Sequence, residues 1–211
     1  MEKILKKIGA GIMTMLISIS TTVNVYAESD SRKTEFIHNH SEILQSLNEC
    51  NKCWKKNGDV RIDFLEQIIH HNEIEICMCE NIIQYTDKKD VRNLAKSIIK
   101  SSIDCNSELS EVVEEVKKNC NEDKSKEQEY AKEYDEKYNR MLLELQLKRD
   151  DTDIDKIYLY SAKKHHICME NICEIITKYN DDEKVNKISE NVSERLEKEI
   201  KKIDKVYKHI K

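Results

Sequence analysis

The stretch GDVRIDFLEQIIHHNEIEICMCENIIQY, residues 58–85, and the stretch TDIDKIYLYSAKKHHICMENICEIITKY, residues 152–179, decide the fold of this chain. They align without a gap at an offset of 94 residues, which places His71 on His165 and Cys79 on Cys173. In both stretches the apolar residues recur at three-then-four spacing, the period of an amphipathic α-helix with a broad buried face. The sequence therefore predicts one helical unit that occurs twice.

Each of these helices is followed by a short polar turn and by a second periodic segment. The turns are residues 86–90 and 180–183, and the second segments run over about 91–118 and 184–209. Because short connections make successive helices antiparallel, each pair should form a hairpin. Two amphipathic hairpins that cannot bury their apolar faces alone are expected to close into a four-helix bundle over residues 58–211.

Two further segments flank or connect the hairpins. Residues 28–57 form an N-terminal extension that is predicted to be helical, and residues at about 124–148 form a connecting helix with a ladder of tyrosines. The chain has no proline, and of its three glycines only Gly58 lies beyond residue 27. Such a shortage of turn-forming residues excludes a β protein. The predicted fold class is therefore all-α.

The first 27 residues have the order of a secretory signal peptide. Lysines precede an apolar run at about 8–19, and Val25-Tyr26-Ala27 supplies small residues at the expected cleavage site. The apolar run is short for a membrane span. We expect residues 1–27 to be removed and the mature chain to be secreted or extracytoplasmic, without stable membrane insertion. An uncleaved N-terminal anchor is the alternative.

Composition and motifs argue against several classes of function. The chain carries 36 Lys and Arg and 41 Asp and Glu, whereas a nucleic-acid binder would show a basic face. There is no Gly-rich phosphate loop and no nucleophilic-serine elbow. A di-iron bundle needs two Glu-x-x-His pairs, and only Glu35 to His38 occurs, outside the hairpins. We therefore expect no enzymatic activity.

Histidines at matched positions of the two repeats are the sharpest chemical signal. His71 and His165 lie on the apolar stripes, where a buried polar side chain needs a partner. Antiparallel packing is expected to bring Cys105 to the level of His71 and Glu199 to the level of His165. The candidate metal ligands, with further donors one or two turns along the same faces, are His71, Met78, Cys79, Cys105, His165, His166, Met169, Cys173 and Glu199.

The chemistry of these side chains indicates which ion they would hold. Imidazole, thiolate and thioether together favour copper(I), with zinc as the competitor. A core histidine that is hydrogen-bonded and binds no ion is the competing interpretation. The sequence thus predicts a non-catalytic protein that buffers or sequesters copper.

Cysteine content supports an alternative function. The eight cysteines are Cys50, Cys53, Cys77, Cys79, Cys105, Cys120, Cys168 and Cys173. An even number in an exported protein is typical of disulfides, and a staple from Cys120 to Cys50 or Cys53 is one hypothesis. The alternative is a disulfide-stapled extracellular interaction module without metal, which would bind a cell-surface protein or a second copy. A redox role for Cys50 and Cys53 is less favoured, because no βαβ pattern surrounds them.

These residues also resemble the family catalogued as domain of unknown function 305. Its members carry two copies of a pattern like G-D-x-x-I-D-F-L-x-x-M-I-x-H-H-x-x-A-I-x-M, each followed by L-A-x-x-I-I-x-x-Q-x-x-E-I-x-x-M. Here the first copy reads GDVRIDFLEQIIHHNEIEICM and LAKSIIKSSIDCNSEL, and the second reads DIDKIYLYSAKKHHICMENIC and ISENVSERLEKEIKKI. The stretch YAKEYDEKYNRMLLEL is similar to the family's linker. The resemblance covers about residues 58 to 210.

The resemblance implies a ferritin-like four-helix bundle that is usually exported. Some relatives are linked to copper or silver binding and to metal tolerance. The chain departs from the family pattern where Asn72 replaces a histidine, Cys105 a glutamate and Ile172 a methionine, while His166 and Glu199 keep it. The methionine content typical of the family is therefore reduced, and cysteines are present instead. They would serve either as other soft ligands or as disulfide partners.

Overall fold

Six helices make up nearly all of the described chain. The computed structural model describes residues 25–53, 56–147 and 153–210, with side chains left out at 25–30, 50–53 and 147. The helices are α1 (Val25–Cys53), α2 (Val60–Tyr85), α3 (Lys89–Lys118), α4 (Lys124–Leu147), α5 (Ile154–Tyr179) and α6 (Glu183–His209). The described residues contain no strand. The prediction of an all-α protein is confirmed.

Aspartates set where four of these helices begin. Asp59, Asp123, Asp153 and Asp182 each accept a hydrogen bond from a backbone N–H in the first turn of α2, α4, α5 or α6. Such caps satisfy donors that the helix itself leaves unpaired. Gly58, just before the first of them, has φ +88°, a backbone conformation that side chains other than glycine rarely adopt. A Cβ there would also lie 3.0 Å from Cγ of Glu122.

The helices pack in a pattern that brings the two hairpins together. The described residues fall into two units, which divide between Arg32 and Lys33. In the second unit, α2 packs against α3 and α5, α5 packs against α6 and α4, and α3 packs against α6. The shared core includes Phe64, Ile68, Ile82, Tyr158 and Ile172, all fully buried. Each such side chain contributes roughly 1.5–3 kcal/mol through the apolar surface that it removes from water.

One arginine ties the ends of three helices together. Nη2 of Arg61 in α2 lies 2.6 Å from Oδ2 of Asp59 and 2.9 Å from the carbonyl oxygen of Asn119, which follows α3. Nη1 of the same side chain lies 3.0 Å from Oδ2 of Asp182, which precedes α6. The start of the first hairpin is thereby bonded to the turn of the second.

Tyrosines of the connecting helix are buried against the hairpins. Tyr130 donates to Oε1 of Gln67 over 2.5 Å, and Tyr138 donates to the carbonyl oxygen of Leu47 over 2.7 Å. Helix α4 is therefore part of the core. Within the ranges that the structure describes, none of the helices is long and apolar enough to cross a membrane.

Some sequence predictions concern residues beyond these ranges. Residues 1–24 of the predicted signal peptide lie outside the described residues. The side chains of Cys50 and Cys53, and with them the hypothesised staple to Cys120, lie outside them as well. The cysteines that the structure does describe, Cys77, Cys79, Cys105, Cys120, Cys168 and Cys173, are free.

Candidate metal centre

Three buried side chains from α2 and α5 converge on one point inside the helical unit. Glu75, His165 and His166 each offer a ligand atom, and these atoms all lie within 4.8 Å of one another. Oε2 of Glu75 is 2.7 Å from Nδ1 of His165 and 3.6 Å from Nδ1 of His166. All three residues are at most 2% exposed. We call Glu75, His165 and His166 the cluster.

Two atoms of the cluster have no hydrogen-bond partner among the described residues. Oε2 of Glu75 and Nδ1 of His165 are both buried and unpaired, although only 2.7 Å separates them. They form a close contact at ion-pair distance, and no other described residue makes a hydrogen bond to either atom. Since a buried polar group without a partner costs about 1–3 kcal/mol, an ion bound by both atoms would remove this cost. The donor set therefore fits a metal ion.

His71 lies on the opposite side of the His165 ring from Glu75. Its Nδ1 is 3.0 Å from Nε2 of His165, and its Nε2 is 3.2 Å from the hydroxyl of Tyr134. Burial lowers the pKa of His71 well below its ordinary value, and the charges of His165 and His70 lower it further. A neutral imidazole has one donor and one acceptor. If Tyr134 donates to His71 and His71 to His165, Nδ1 of His165 carries the hydrogen that faces Glu75; if both bonds run the other way, Nδ1 keeps the lone pair that an ion would use.

Glu199 of α6 holds His166 from the other side. Oε2 of Glu199 is 2.9 Å from Nε2 of His166, while its Oε1 accepts a 2.5 Å bond from Ser101 of α3. Nδ1 of His166 is 2.8 Å from the carbonyl oxygen of Ala162. Burial alone would lower the pKa of His166, but Glu75 and Glu199 together outweigh it and raise that pKa. A metal ion would have to displace the proton that these carboxylates favour.

Cys79 is the sulfur donor beside the cluster. Its Sγ lies 3.1 Å from the hydroxyl of Tyr158 and 3.8 Å from Oε1 of Glu75. Burial raises the pKa of this thiol well above its ordinary value, and the charge of Glu75 raises it further. The thiol is therefore held protonated, and thiolate coordination would have to overcome that preference.

The structure separates the nine candidate ligands into two groups. His71, Cys79, His165, His166 and Glu199 gather around Glu75. The remaining four lie in other surroundings: Met78 and Met169 pack in the apolar core, Cys173 is buried beside Ser189, and Cys105 is half-buried beside Asn72 and Arg195.

Two expected partnerships differ from the geometry. The partners of His71 are His165 and Tyr134, whereas Cys105, the expected one, lies beside Asn72. The reason is that α2 packs directly on α5, so that the stripe of one repeat meets the stripe of the other. Glu199 contacts His166 instead of His165, because His165 is engaged by the α2 residues.

Glu75 is the central residue that the sequence reasoning did not choose. It lies one turn beyond His71 on the same apolar stripe, and in the repeat alignment it falls opposite Met169. A carboxylate on an otherwise apolar stripe, four residues from a histidine, was the signal available. Its counterpart in the second repeat is a methionine, so the two repeats contribute different ligands. Helix α2 supplies Glu75, and α5 supplies His165 and His166.

Of the comparisons with known proteins, one assigns the chain to a family. Searches of curated proteins and of solved structures gave no match. Residues 61–207 match the family described as Domain of unknown function (DUF305). The match spans both hairpins and the connecting helix, well over half of the chain, and the chain therefore belongs to the DUF305 family.

Proposed function

We propose that this chain is an exported, non-catalytic protein that buffers or sequesters a metal ion at the Glu75–His165–His166 cluster. The single observation that carries the proposal is the convergence of three buried ligand-type side chains, in which Oε2 of Glu75 and Nδ1 of His165 lie 2.7 Å apart and bond to no other described residue. Chemistry on a substrate would need access, whereas these ligands are at most 2% exposed. Burial of this degree favours holding an ion over turning over a substrate.

Copper is the ion that we propose first, with zinc and silver as alternatives. Imidazole binds copper and zinc alike, and the carboxylate of Glu75 adds a hard donor that suits a divalent ion. Copper(I) or silver would draw on the softer Cys79, which lies within 3.8 Å of Glu75. Because burial raises the pKa of that thiol, we expect the cluster to bind a divalent ion without it. Copper(I) would need the Cys79 thiolate.

The wider setting of the cluster is part of the same proposal. We infer that α2, α3, α5 and α6 form a ferritin-like four-helix bundle, which the pairing of α2 with α5 and of α3 with α6 supports. We also infer an extracytoplasmic location from the charged, apolar and small-residue order of residues 1–27. Membership of the DUF305 family agrees with both inferences but carries neither of them.

The experiment is an anaerobic competition titration of the reduced full chain with copper(I) and, separately, with Zn²⁺. The variants Glu75→Gln, His165→Gln and His166→Gln each remove one cluster ligand while keeping a polar side chain of similar size. Each should weaken binding of Zn²⁺ at least about 100-fold, since even groups that only support a metal ligand are worth 10- to 100-fold. Cys79→Ser should weaken binding of copper(I) but not of Zn²⁺.

His70→Gln is the matched control for these variants. His70 is on the same helix, beside His71, and is half-buried, with Nδ1 3.5 Å from Oε2 of Glu73. Its replacement should leave both affinities unchanged. Free-thiol counts on each sample test the alternative, a disulfide-stapled interaction module without metal. A chain that binds no ion and is isolated with paired cysteines would instead be a stapled interaction module, and the proposal would be withdrawn.

A further inference from the structure

A surface groove lies between α3 and α6. The groove has a volume of about 290 Å³, and its lining includes Ser101, Cys105, Asn191 and Arg195. Two acidic side chains, Asp104 and Glu108, also line it. None of these residues belongs to the cluster itself.

A single carboxylate connects the wall of this groove to a metal ligand. Ser101, which lines the groove, donates over 2.5 Å to Oε1 of Glu199. The other oxygen of that carboxylate is 2.9 Å from Nε2 of His166. Glu199 is only 5% exposed and bonds to a residue of the groove lining on one side and to a residue of the cluster on the other. One side chain thus separates solvent-accessible space from a proposed ligand.

We propose that this groove is the route by which the metal ion reaches and leaves the cluster, with Glu199 as the gate. The inference rests on the proposed function, because a site whose ligands are at most 2% exposed needs an entry path. To open the gate, Glu199 must release both Ser101 and His166 and turn its carboxylate towards the groove. There it can take the ion as an oxygen ligand and pass it to the imidazole of His166.

The charges and donors along the groove suit a cation in transit. Asp104 and Glu108 supply negative charge at its rim, although Asp104 also meets Lys100 at the surface over 3.2 Å. Arg195 is the opposing charge, but its guanidinium is tied to the carbonyl oxygen of Ser101 and to Oδ1 of Asn72. Such a lining concentrates cations near the opening, and half-buried Cys105 adds a soft donor along the way.

The first test removes the hydrogen bond between Ser101 and Glu199. Ser101→Ala removes the hydroxyl that holds Glu199. With Zn²⁺ delivered from a chromophoric chelator to the full chain, in anaerobic stopped flow, loading and release should both accelerate. The factor should be about 3- to 10-fold, the worth of one hydrogen bond, with the Kd nearly unchanged. Ser110→Ala is the matched control, since Ser110 makes only an intrahelical bond to Asn106 on the exposed face of α3.

The second test obstructs the groove. Asn191 is an exposed lining residue, so that Asn191→Trp should fold normally and lay a ring across the opening. Loading and release should both slow at least about 10-fold, as expected when a path is closed and the ligands are intact. Glu190→Trp, at the exposed neighbouring position outside the lining, should load at the wild-type rate.

The outcomes separate the route from the function. Wild-type rates in both Ser101→Ala and Asn191→Trp, with tight binding retained, would overturn the route and leave the proposed function standing. A change of Kd without a matching change in both rates would also overturn it, because a gate alters passage in both directions equally. If the wild-type chain takes up no Zn²⁺ that depends on His165, the proposed function fails and the route fails with it.

Discussion

Nδ1 of His71 lies 3.0 Å from Nε2 of His165, its own counterpart in the second repeat. Helices α2 and α5, which are copies of each other, therefore contact each other through the same residue of the repeat. The two histidines nevertheless have different further partners. His165 points its other nitrogen at Glu75, whereas His71 points its other nitrogen at the hydroxyl of Tyr134. We therefore expect His71 to position His165 and not to bind the proposed ion itself.

The role of His71 leads to the first prediction. His71→Leu should lower the affinity of the cluster for Zn²⁺ by about 10- to 100-fold, the usual effect of losing a group that orients a metal ligand, with one ion still bound. Tyr134→Phe, one bond further away, should have a smaller effect in the same direction. Competition titrations measure both. If His71→Leu abolishes binding as completely as His165→Gln, His71 is itself a ligand.

The second prediction concerns protons. Although burial opposes it, Glu75 and Glu199 raise the pKa of His166, so that below this raised pKa the folded chain holds a proton on His166. A metal ion competes with that proton. Binding of Zn²⁺ should therefore release a proton from His166, and the affinity should fall as the pH falls through the raised pKa.

Calorimetry in two buffers of different ionisation enthalpy counts the released protons. His209, exposed at the end of α6, provides the control, and His209→Gln should release as many as the wild type. Affinity that stays constant between neutral pH and pH values well below the ordinary imidazole pKa would show that His166 does not bind the ion.

Particular residues show which features of the structure can be predicted from the sequence. The helices follow from apolar stripes such as that of Phe64 and Ile68, and their starts follow from Asp59 and Asp153, which align in the two repeats. These are local properties, set by the helical period and by capping. The positions of His71 and His165 on the apolar stripes follow from the helical period in the same way.

The arrangement of the site is not local. Which stripe faces which depends on the packing of α2 against α5, and the helical period does not encode that choice. For this reason Cys105 was expected beside His71, where the structure has His165. Glu75 was visible on its stripe, but its importance follows only from the two histidines that α5 brings to it.

The third prediction concerns a carboxyl group far from the cluster. Asp63 is fully buried, accepts two hydrogen bonds from Asn57, and faces Glu127. Burial raises the pKa of Asp63 from 3.8 to about 7, the hydrogen bonds from Asn57 lower it, and Glu127 raises it. Because the folded chain binds this proton more tightly than the unfolded chain, the stability it confers is lost as the pH rises from 3.8 to about 7.

Asp63→Asn tests that pH dependence directly. The amide cannot ionise, keeps an acceptor for Asn57 and offers a donor to Glu127. At pH 8 the variant should be more stable than the wild type by on the order of 1–3 kcal/mol, and at pH 4 the two should be nearly equal. Asp104→Asn, on the exposed face of α3, should show no such divergence. Thermal unfolding across this pH range measures the difference in stability. A variant less stable than wild type at pH 8 would contradict the raised pKa of Asp63.

The fourth prediction ranks the reactivity of the thiols. Burial raises the pKa of the Cys168 and Cys173 thiols to about 12; the pKa of Cys120 is raised as well, but its thiol is exposed. Because the thiolate is the reactive form, alkylation of the native, reduced chain should modify Cys120 within minutes and leave Cys168, Cys173 and Cys79 unmodified until it unfolds. Peptide mass mapping of a time course measures the order. Early modification of Cys79 would mean that the cluster is open to solvent.

The central claim is that the ion is held by Glu75, His165 and His166, and X-ray absorption at the zinc edge tests it most directly. The full chain, reduced and loaded with one equivalent of Zn²⁺, should show nitrogen and oxygen neighbours at about 2.0–2.1 Å, with the multiple scattering of imidazole. The same spectrum should be lost in His165→Gln and kept in His70→Gln. A shell dominated by sulfur at about 2.3 Å, unaffected by His165→Gln, would contradict the claim and assign the ion to the cysteines.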